Sequence, residues 1–484
     1  MRYIQVFNAL SILMACFTLT MFFPLGVAIY YQELPQEAFT KSIVVALLCV
    51  IALWSATKKG KRELSVRDGF LLVASTWIVL PFLAAFPLYF HIQDLSFLEA
   101  YFEAVSGLTA TGASVITALD HMPLSINLWR TQLNWLGGMG IIVLAVAILP
   151  MLGIGGRQMF KAEATGPIKE SQLTPRIAET AKGLWLVYLM MTAVCTFALF
   201  KCGMSGWDAL MHAFSTMGLG GFSSKDAGLG YFNSLAVNST VMFFALMSGI
   251  NFATHFLALR GCSLKPYLND VELPVYLGGL VFSIMGIALY LVLVNADDSF
   301  LTTLYQVAFH SISLATSLGF TIHDYTNWPI FTQFWMLSLC AFLACAGSTG
   351  GGIKTIRAII LFKLTFREIL IAMHPVAVKP VYIRKMPIPD GILHSVLAFA
   401  FVYILSIILL TFLQLASGLD PVTALSSILA CINNTGPGLN LVGPASNYQV
   451  LNDFQMIVCI FAMILGRLEI FTLLVIFTPA FWRK

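Results

Sequence analysis

The sequence predicts an all-α polytopic membrane protein with about ten transmembrane helices. An N-terminal helix pair is followed by four units, each with a helix, a half-helix, a glycine turn and a second helix. Composition is the first observation behind this prediction. Hydrophobic residues make up 58% of the chain and charged residues only 10%, and the mean hydropathy is +0.85. A soluble globular protein carries about a quarter charged residues, so the chain belongs in a membrane.

The apolar runs are the second observation. Ten of them are long enough to cross about 30 Å of hydrocarbon. The first run has no small-residue cleavage site, which favours a membrane helix over a removable targeting sequence. The predicted spans are residues 9–31, 42–57, 70–90, 128–152, 183–202, 236–259, 274–294, 331–362, 391–416 and 454–481.

Basic residues predict the orientation of these spans. Lys and Arg are concentrated in alternate connections, whereas segments 295–330 and 418–450 contain none. The positive-inside rule places the basic connections and both termini in the cytoplasm. The basic loops 157–182 and 363–385 could dock a protein partner or bind anionic membrane lipid.

A third observation is a fourfold repeat in the connections predicted to lie outside. The aligned stretches are LEAYFEAVSGLTATGAS (98–114), WDALMHAFSTMGLGGFS (207–223), YQVAFHSISLATSLGFT (305–321) and VTALSSILACINNTGPG (422–438). They align on Gly112, Gly221, Gly319 and Gly436, each with a small residue six places earlier and a polar residue thirteen places earlier. The domain boundaries that follow are 1–67 for the helix pair, then 68–157, 158–265, 266–385 and 386–484 for the four units.

Four equivalent units on one chain indicate an arrangement around an axis, as in a tetrameric potassium-channel-like pore. Irregular backbone at membrane depth is tolerated where it lines a water-filled cavity. The half-helices would direct their partially negative C-terminal ends at the centre, which favours a cation. Extended backbone after them would replace the hydration shell of the ion with carbonyl oxygens. A single glycine could be ordinary loop punctuation, but four in register favour the pore.

Three further stretches carry a resemblance to a known family: LNWLGGMGIIVLAVAILP (133–150), GSTGGGIKTIR (347–357) and GRLEIFTLL (466–474). Together with the repeats, they resemble the Trk/Ktr/HKT superfamily of cation transporters, and within it the membrane subunits of bacterial Trk potassium uptake systems. The resemblance implies a homodimer in the bacterial inner membrane, with one K⁺ pore per protomer. It also implies control by a cytosolic TrkA-type ring of nucleotide-binding (RCK) domains, with no organic cofactor on this chain.

The resemblance places a K⁺ filter at residues 109–113, 219–222, 316–320 and 433–437. The residues expected to line it are Thr111, Gly112, Gly220, Gly221, Leu318, Gly319, Thr435 and Gly436. Glycine at all four key positions is the K⁺-preferring pattern of the superfamily. Each loop keeps only one glycine of the TVGYG type, so a less selective K⁺/Na⁺ transporter and a proton-coupled potassium symporter both remain open.

A glycine segment interrupts the second helix of the third unit, 28 residues after Gly319. Its residues are Gly347, Ser348, Thr349, Gly350, Gly351 and Gly352. Each glycine costs a helix about 1 kcal/mol relative to alanine, so we expect an unwound segment below the filter. The resemblance implies an intramembrane loop that closes the permeation path. A phosphate-binding loop is disfavoured because Ile353 occupies the lysine position and no strand precedes it, and three consecutive glycines exceed what helix packing requires.

Arg467 is the intramembrane charge that we single out. It lies fifteen residues, hence roughly 22 Å along a helix, from Trp482 at the cytoplasmic end. Such charges are functional candidates, so we expect Arg467 to bind carbonyls of residues 347–352 or to raise a barrier to cations. The alternative is a structural pair with Glu469 or another buried acid, although positions i and i+2 diverge on a helix.

Other functional classes find less support. The nine cysteines and eight histidines show no metal-ligand or disulfide spacing, and no nucleophile and base constellation appears, so we expect no enzyme and no nucleic-acid partner. A coupled secondary transporter predicts broken helices in matching halves, whereas only one broken span is predicted here. Glu99 and Asp208 begin half-helices, where they could cap the helix or recruit ions.

Overall fold

The computed structural model describes residues 3–58, 65–140, 177–294, 299–376, 379–384 and 386–483, and it confirms an all-α polytopic membrane protein. Among these residues, six helical segments are long and apolar enough to cross a membrane, and two bent helix pairs pass the same test as pairs. The helices are α1 (Tyr3–Thr20), α2 (Phe22–Tyr30), α3 (Pro35–Thr57), α4 (Val66–His91), α5 (Phe97–Leu108), α6 (Leu124–Gly138), α7 (Ile177–Lys201), α8 (Gly206–Gly218), α9 (Leu235–Ser248), α10 (Phe252–Gly261), α11 (Lys265–Leu268), α12 (Glu272–Val294), α13 (Phe300–Ala315), α14 (Ile330–Phe342), α15 (Thr355–Met373), α16 (Asp390–Ala416), α17 (Pro421–Ile432), α18 (Asp453–Arg467), α19 (Phe471–Phe477) and α20 (Pro479–Trp482). A two-stranded antiparallel hairpin, β1 (Tyr382–Ile383) and β2 (Met386–Pro387), precedes α16.

Four short helices, α5, α8, α13 and α17, each follow a long apolar helix. They are 12 to 16 residues long, which is less than the about 20 residues that a span requires. We call them the half-helices. Three of them begin with a side-chain cap, from Ser96, Ser205 and Asp420.

The acidic residues at two half-helix starts make capping contacts. The backbone N–H of Ser96 donates to Glu99 Oε2 at 2.8 Å, which closes a capping box. Asp208 accepts a hydrogen bond from the hydroxyl of Ser205 at 2.8 Å and another from the hydroxyl of Ser224 at 2.7 Å. The second contact ties the start of α8 to the chain that follows the glycine turn of the same unit.

Two large apolar cores hold the units together. One unites the N-terminal pair with α4, α5 and the helices α17 and α18 of the fourth unit. The other unites helices α7 to α9 of the second unit with α12 to α14 of the third. The first and fourth units therefore pack together although they are furthest apart in sequence, as closure around an axis requires.

Residues 236–259 do not form the continuous span that the sequence predicts. Helices α9 and α10 meet at a 92° bend, so this prediction is wrong. At the bend, backbone groups of the second unit form hydrogen bonds with Cys345 and Gly347 of the third unit. The N–H of Cys345 donates to the carbonyl of Gly249 at 3.2 Å, and the N–H of Phe252 donates to the carbonyl of Gly347 at 3.0 Å.

The predicted continuous span 454–481 is also wrong. Helices α18 and α19 meet at 114°, with Glu469 and Ile470 between them at φ 51° and 58°. The depth of Arg467 cannot be measured along a straight helix to Trp482, because no such helix exists.

In the third unit, α14 and α15 are separated by a non-helical stretch, residues 343–354, which we call the glycine loop. The prediction of a single broken span is therefore wrong, since the second helices of three units are interrupted. Residues 141–152 of the predicted span 128–152, the remainder of the 133–150 motif and the basic connection 157–176 lie outside the described residues.

Candidate functional site

Each half-helix ends in the same way. The residue two places before each aligned glycine has a left-handed backbone, and the next N–H donates to the carbonyl oxygen five residues earlier, at 2.8–3.0 Å. This is a Schellman-type end. The left-handed residues are Ala110, Leu219, Ser317 and Asn434, with φ between 52° and 66°. Glycine usually occupies such positions, so a strained ending recurs four times and directs the chain away from each helix axis.

The four aligned glycines also share a backbone conformation, with φ between 71° and 91°. A Cβ atom on any one of them would lie closer than 3.0 Å to a carbonyl oxygen of the next turn. The pairs are Gly112 with the carbonyl of Gly220, Gly221 with that of Leu318, Gly319 with that of Thr435, and Gly436 with that of Thr111. The contacts run from unit one to two, three, four and back to one. The four turns thus form a closed ring with a backbone carbonyl at every interface.

Side-chain hydrogen bonds stabilise these turns. The hydroxyls of Ser215 and Ser313 donate to the carbonyls of Phe222 and Phe320, at 2.5 and 2.6 Å, just beyond the second and third glycines. The fourth turn is held by Tyr448, whose hydroxyl donates to the carbonyl of Gly436 at 2.8 Å. The fourth and first turns are joined by Asn434 Nδ2, which donates to Thr111 Oγ1 at 2.9 Å.

A buried ion pair that the sequence analysis missed supports the first two turns. Glu103 on α5 and Arg130 on α6 are 2.7 Å apart, and their side chains are 0% and 1% exposed. Glu103 also accepts the N–H of Val115 at 2.9 Å, and Arg130 donates to the carbonyl of Ser223 at 3.2 Å. The pair therefore links the chain leaving the first turn to the chain leaving the second. Arg130 lies inside predicted span 128–152, and the criterion used for Arg467 would have identified it.

Histidines occupy the position of Glu103 in the second and third units, and their surroundings differ. His212 Nε2 lies 3.0 Å from Ser223 Oγ, and His212 Nδ1 lies 2.8 Å from the carbonyl oxygen of Asp208. His310 is fully buried beside the rings of Tyr325 and Trp328, and its ring nitrogens find no hydrogen-bond partner among the described residues. The third turn consequently lacks the histidine support that the second turn has.

The glycine loop lies against the C-terminal ends of three half-helices. Thr349 Oγ1 donates to the carbonyl of Met217 at 3.2 Å, and the N–H of Gly351 donates to Ser317 Oγ at 3.2 Å. A Cβ on Gly351 would overlap the carbonyl oxygen of Asn433. These contacts reach α8, α13 and α17, so the loop lies directly next to the ring of turns.

Further contacts fix the ends of the loop. Ser348 Oγ donates to the carbonyl of Cys345 at 2.6 Å. At φ 83°, Gly352 faces the carbonyls of Cys340 and Ala341, where a Cβ would not fit. Glu272 Oε2 accepts the N–H of Ala346 at 2.7 Å.

Arg467 contacts the loop from the fourth unit. Its guanidinium donates to the carbonyl of Thr349 at 3.1 Å and to the carbonyls of Gly138, at 3.0 Å, and Gly137. Glu469, the suggested structural partner of Arg467, pairs with Arg357 at 2.5 Å. Arg467 therefore bridges the glycine loop and the end of α6.

The ring of turns offers neutral oxygen ligands. No cluster of His, Cys, Asp and Glu suited to a metal ion occurs in the part of the chain that the structure describes. Backbone carbonyls arranged around an axis can replace the water shell of an alkali cation, whereas tight divalent sites usually include carboxylates. The chemistry of the ring suits a weakly held monovalent cation.

Comparisons with known proteins find related sequences and a similar overall fold. The sequence pattern of the TrkH family, described as a cation transport protein, matches residues 35–484. The chain is 42% identical over 485 residues to the Trk system potassium uptake protein TrkH of Salmonella typhimurium, covering 100% of both chains. It is 37% identical over 476 residues to TrkG of Escherichia coli, covering 97% of this chain and 96% of that protein. The crystal structure of the potassium transporter TrkH from Vibrio parahaemolyticus matches with a TM-score of 0.89 and 38% identity over 100% of both chains.

Proposed function

The chain belongs to the TrkH family of cation transport proteins, and from this premise we propose that it takes up potassium across the bacterial inner membrane. The ion passes along the axis of the four glycine turns. The names of the relatives, which describe potassium uptake, support K⁺ as the transported ion. Transport rather than catalysis agrees with those names.

The closed ring of turns is the observation that carries this proposal. Each aligned glycine lies against the carbonyl of the residue that precedes the aligned glycine of the next unit. Eight residues, two from each unit, therefore surround one axis. These are the proposed filter residues Thr111, Gly112, Gly220, Gly221, Leu318, Gly319, Thr435 and Gly436. Carbonyl oxygens from all four units coordinate the dehydrated ion, and the half-helix ends add favourable negative potential.

The glycine segment Gly347–Gly352 acts as the gate in this proposal, and Arg467 holds it closed. The contacts of the loop with Met217 and Ser317 support a resting position across the path below the filter. The hydrogen bond from Arg467 to Thr349 opposes displacement of the loop. Opening requires these polar contacts to break together, which suits a gate under external control.

A cytosolic partner supplies that control. We expect a TrkA-type ring of nucleotide-binding domains to bind the cytoplasmic face of a homodimer, with both termini of each protomer in the cytoplasm. The words "Trk system" in the names of the relatives support a multicomponent assembly.

Flux into liposomes tests the proposal. Purified protein is reconstituted, and uptake of radioactive rubidium is measured with and without external Na⁺, beside protein-free liposomes. We expect protein-dependent uptake that resists Na⁺ competition, and faster uptake after deletion of residues 347–352. Folded protein that passes no monovalent cation, with or without this deletion, would overturn the proposal.

A further inference from the structure

Lys354 places a second positive charge within the glycine loop. It is the last loop residue before α15, and its side chain is buried, with a relative exposure of 5%. Its backbone lies at φ 75° and ψ 142°, a conformation that residues with a Cβ rarely adopt. The surrounding structure therefore holds the backbone of Lys354 in this conformation.

The ammonium group turns back onto its own loop. Lys354 Nζ donates to the carbonyl oxygen of Gly350, four residues earlier. The neighbouring carbonyl, that of Thr349, accepts from Arg467. Two consecutive carbonyls of the loop are thus each bound by a cationic side chain, one from another unit and one from the loop itself.

Two charged side chains near Lys354, those of Glu272 and Arg467, each form a hydrogen bond to the glycine loop. Glu272 is the nearby acid: it interacts electrostatically with Lys354, and its Oε2 accepts the N–H of Ala346 at the start of the loop. Arg467 adds a second positive charge, at the carbonyl oxygen of Thr349. In a medium of low effective dielectric, a fixed positive charge raises the energy of a nearby permeating cation. An ammonium group and a dehydrated K⁺ also seek the same ligand, a carbonyl oxygen.

We propose that Lys354 is a tethered cation that keeps the pathway closed. Its ammonium occupies a loop carbonyl that a passing K⁺ would otherwise contact, and its charge repels that ion until the loop moves away. This inference rests on the proposed gate function of the loop. It assigns to Lys354 a positioning and electrostatic role that differs from the role of Arg467, because Lys354 moves with the loop.

Three substitutions separate the charge from the shape of the side chain. Lys354→Met removes both the charge and the donor, Lys354→Gln removes the charge but keeps an N–H donor, and Lys354→Arg keeps both. Lys201→Met, at an exposed position at the end of α7, is the matched control. Each variant is purified, checked for a single gel-filtration peak and melting temperature, and assayed for rubidium uptake in liposomes without any partner.

We expect uptake by the Met and Gln variants to exceed the wild-type rate by about tenfold or more, since a unit charge close to the path is removed. The Arg and Lys201→Met variants should remain near wild type. If the Gln variant, or the Met variant where Gln does not fold, shows wild-type uptake, the inference is overturned. A lower melting temperature with unchanged uptake would assign Lys354 a purely structural role and overturn the inference in the same way.

Deletion of residues 347–352 in the same assay separates the two proposals. If the deletion raises uptake and the Lys354 variants do not, the loop is a gate and Lys354 does not contribute its charge to closure. If wild-type protein conducts and neither change affects uptake, the gate proposal itself fails and the inference fails with it.

Discussion

The guanidinium of Arg467 donates to the carbonyl oxygen of Thr349 at 3.1 Å and to that of Gly138 at 3.0 Å. A residue at the end of α18 in the fourth unit thereby joins the glycine loop of the third unit to α6 of the first. Because the three partners come from three different units, the resting position of the loop depends on how those units pack around the axis.

Replacing Arg467 with Gln should loosen the loop. The substitution removes charged hydrogen bonds worth roughly 1.5–3 kcal/mol each, so we expect rubidium uptake without a partner to rise by about tenfold or more. Arg260→Gln, at an exposed position on α10, serves as the control. Unchanged uptake by folded Arg467→Gln protein would show that this arginine does not hold the gate.

A single methyl group should have a comparable effect at Gly351. Its Cβ would overlap the carbonyl oxygen of Asn433, so Gly351→Ala cannot keep the loop in its present position, and uptake should increase. Gly278→Ala is the comparison, because a Cβ there meets no atom within 4 Å. Equal uptake by the two variants would contradict a closed loop at this position.

Gly112 should control ion selection. A side chain at φ 85° facing the carbonyl of Gly220 distorts the ring between the first and second turns. We expect Gly112→Ser to make rubidium uptake sensitive to external Na⁺, whereas Gly206→Ala, where the Cβ has open space, should behave as wild type. Resistance to Na⁺ that survives Gly112→Ser would argue against a filter at the turns.

The buried pair of Glu103 and Arg130 should matter for stability. Glu103→Gln leaves a buried guanidinium without its carboxylate, which lowers the free energy of unfolding by about 3–5 kcal/mol, and the melting temperature in detergent should fall clearly. Glu37→Gln, which breaks the exposed Glu37–Lys41 pair, should cause no measurable change. Similar melting temperatures for both variants would mean that the buried pair contributes little.

The equivalent histidines should respond differently to the same change. His212→Phe removes the contacts of the ring nitrogens with the Ser223 hydroxyl and the Asp208 carbonyl, and each lost hydrogen bond costs about 0.5–1.5 kcal/mol. His310→Phe removes ring nitrogens that have no partner in the described structure and keeps the aromatic packing with Tyr325, so its melting temperature should stay constant or rise. The opposite order would indicate that His310 binds an internal water or another group.

Several features of the candidate site could be predicted from the sequence. The register of Gly112, Gly221, Gly319 and Gly436 identifies the positions that have positive φ in the structure, because only glycine places no Cβ against a neighbouring turn. Glycines at 347, 350, 351 and 352 likewise coincide with a non-helical stretch. These signals are local, and a single sequence carries them.

Other features could not be predicted in this way. The bend after Gly249 is stabilised by the N–H of Cys345, which lies nearly one hundred residues later. The hydropathy of residues 236–259 shows only an uninterrupted apolar run, which gives no sign of the bend. The bend after Arg467 escaped prediction for a related reason, since Glu469 and Ile470 are not residues that favour positive φ.

The sequence by itself determined that this is a membrane protein built from four similar units with a glycine at each turn, because composition, periodicity and glycine placement are properties of the chain. Tertiary structure alone decided that Glu103 pairs with Arg130, that Arg467 binds Thr349 and Gly138, and where the second helices bend. Each of those outcomes depends on polar groups from distant segments. In an environment without water, such groups must find their partners inside the protein, and only the assembled units bring them within reach.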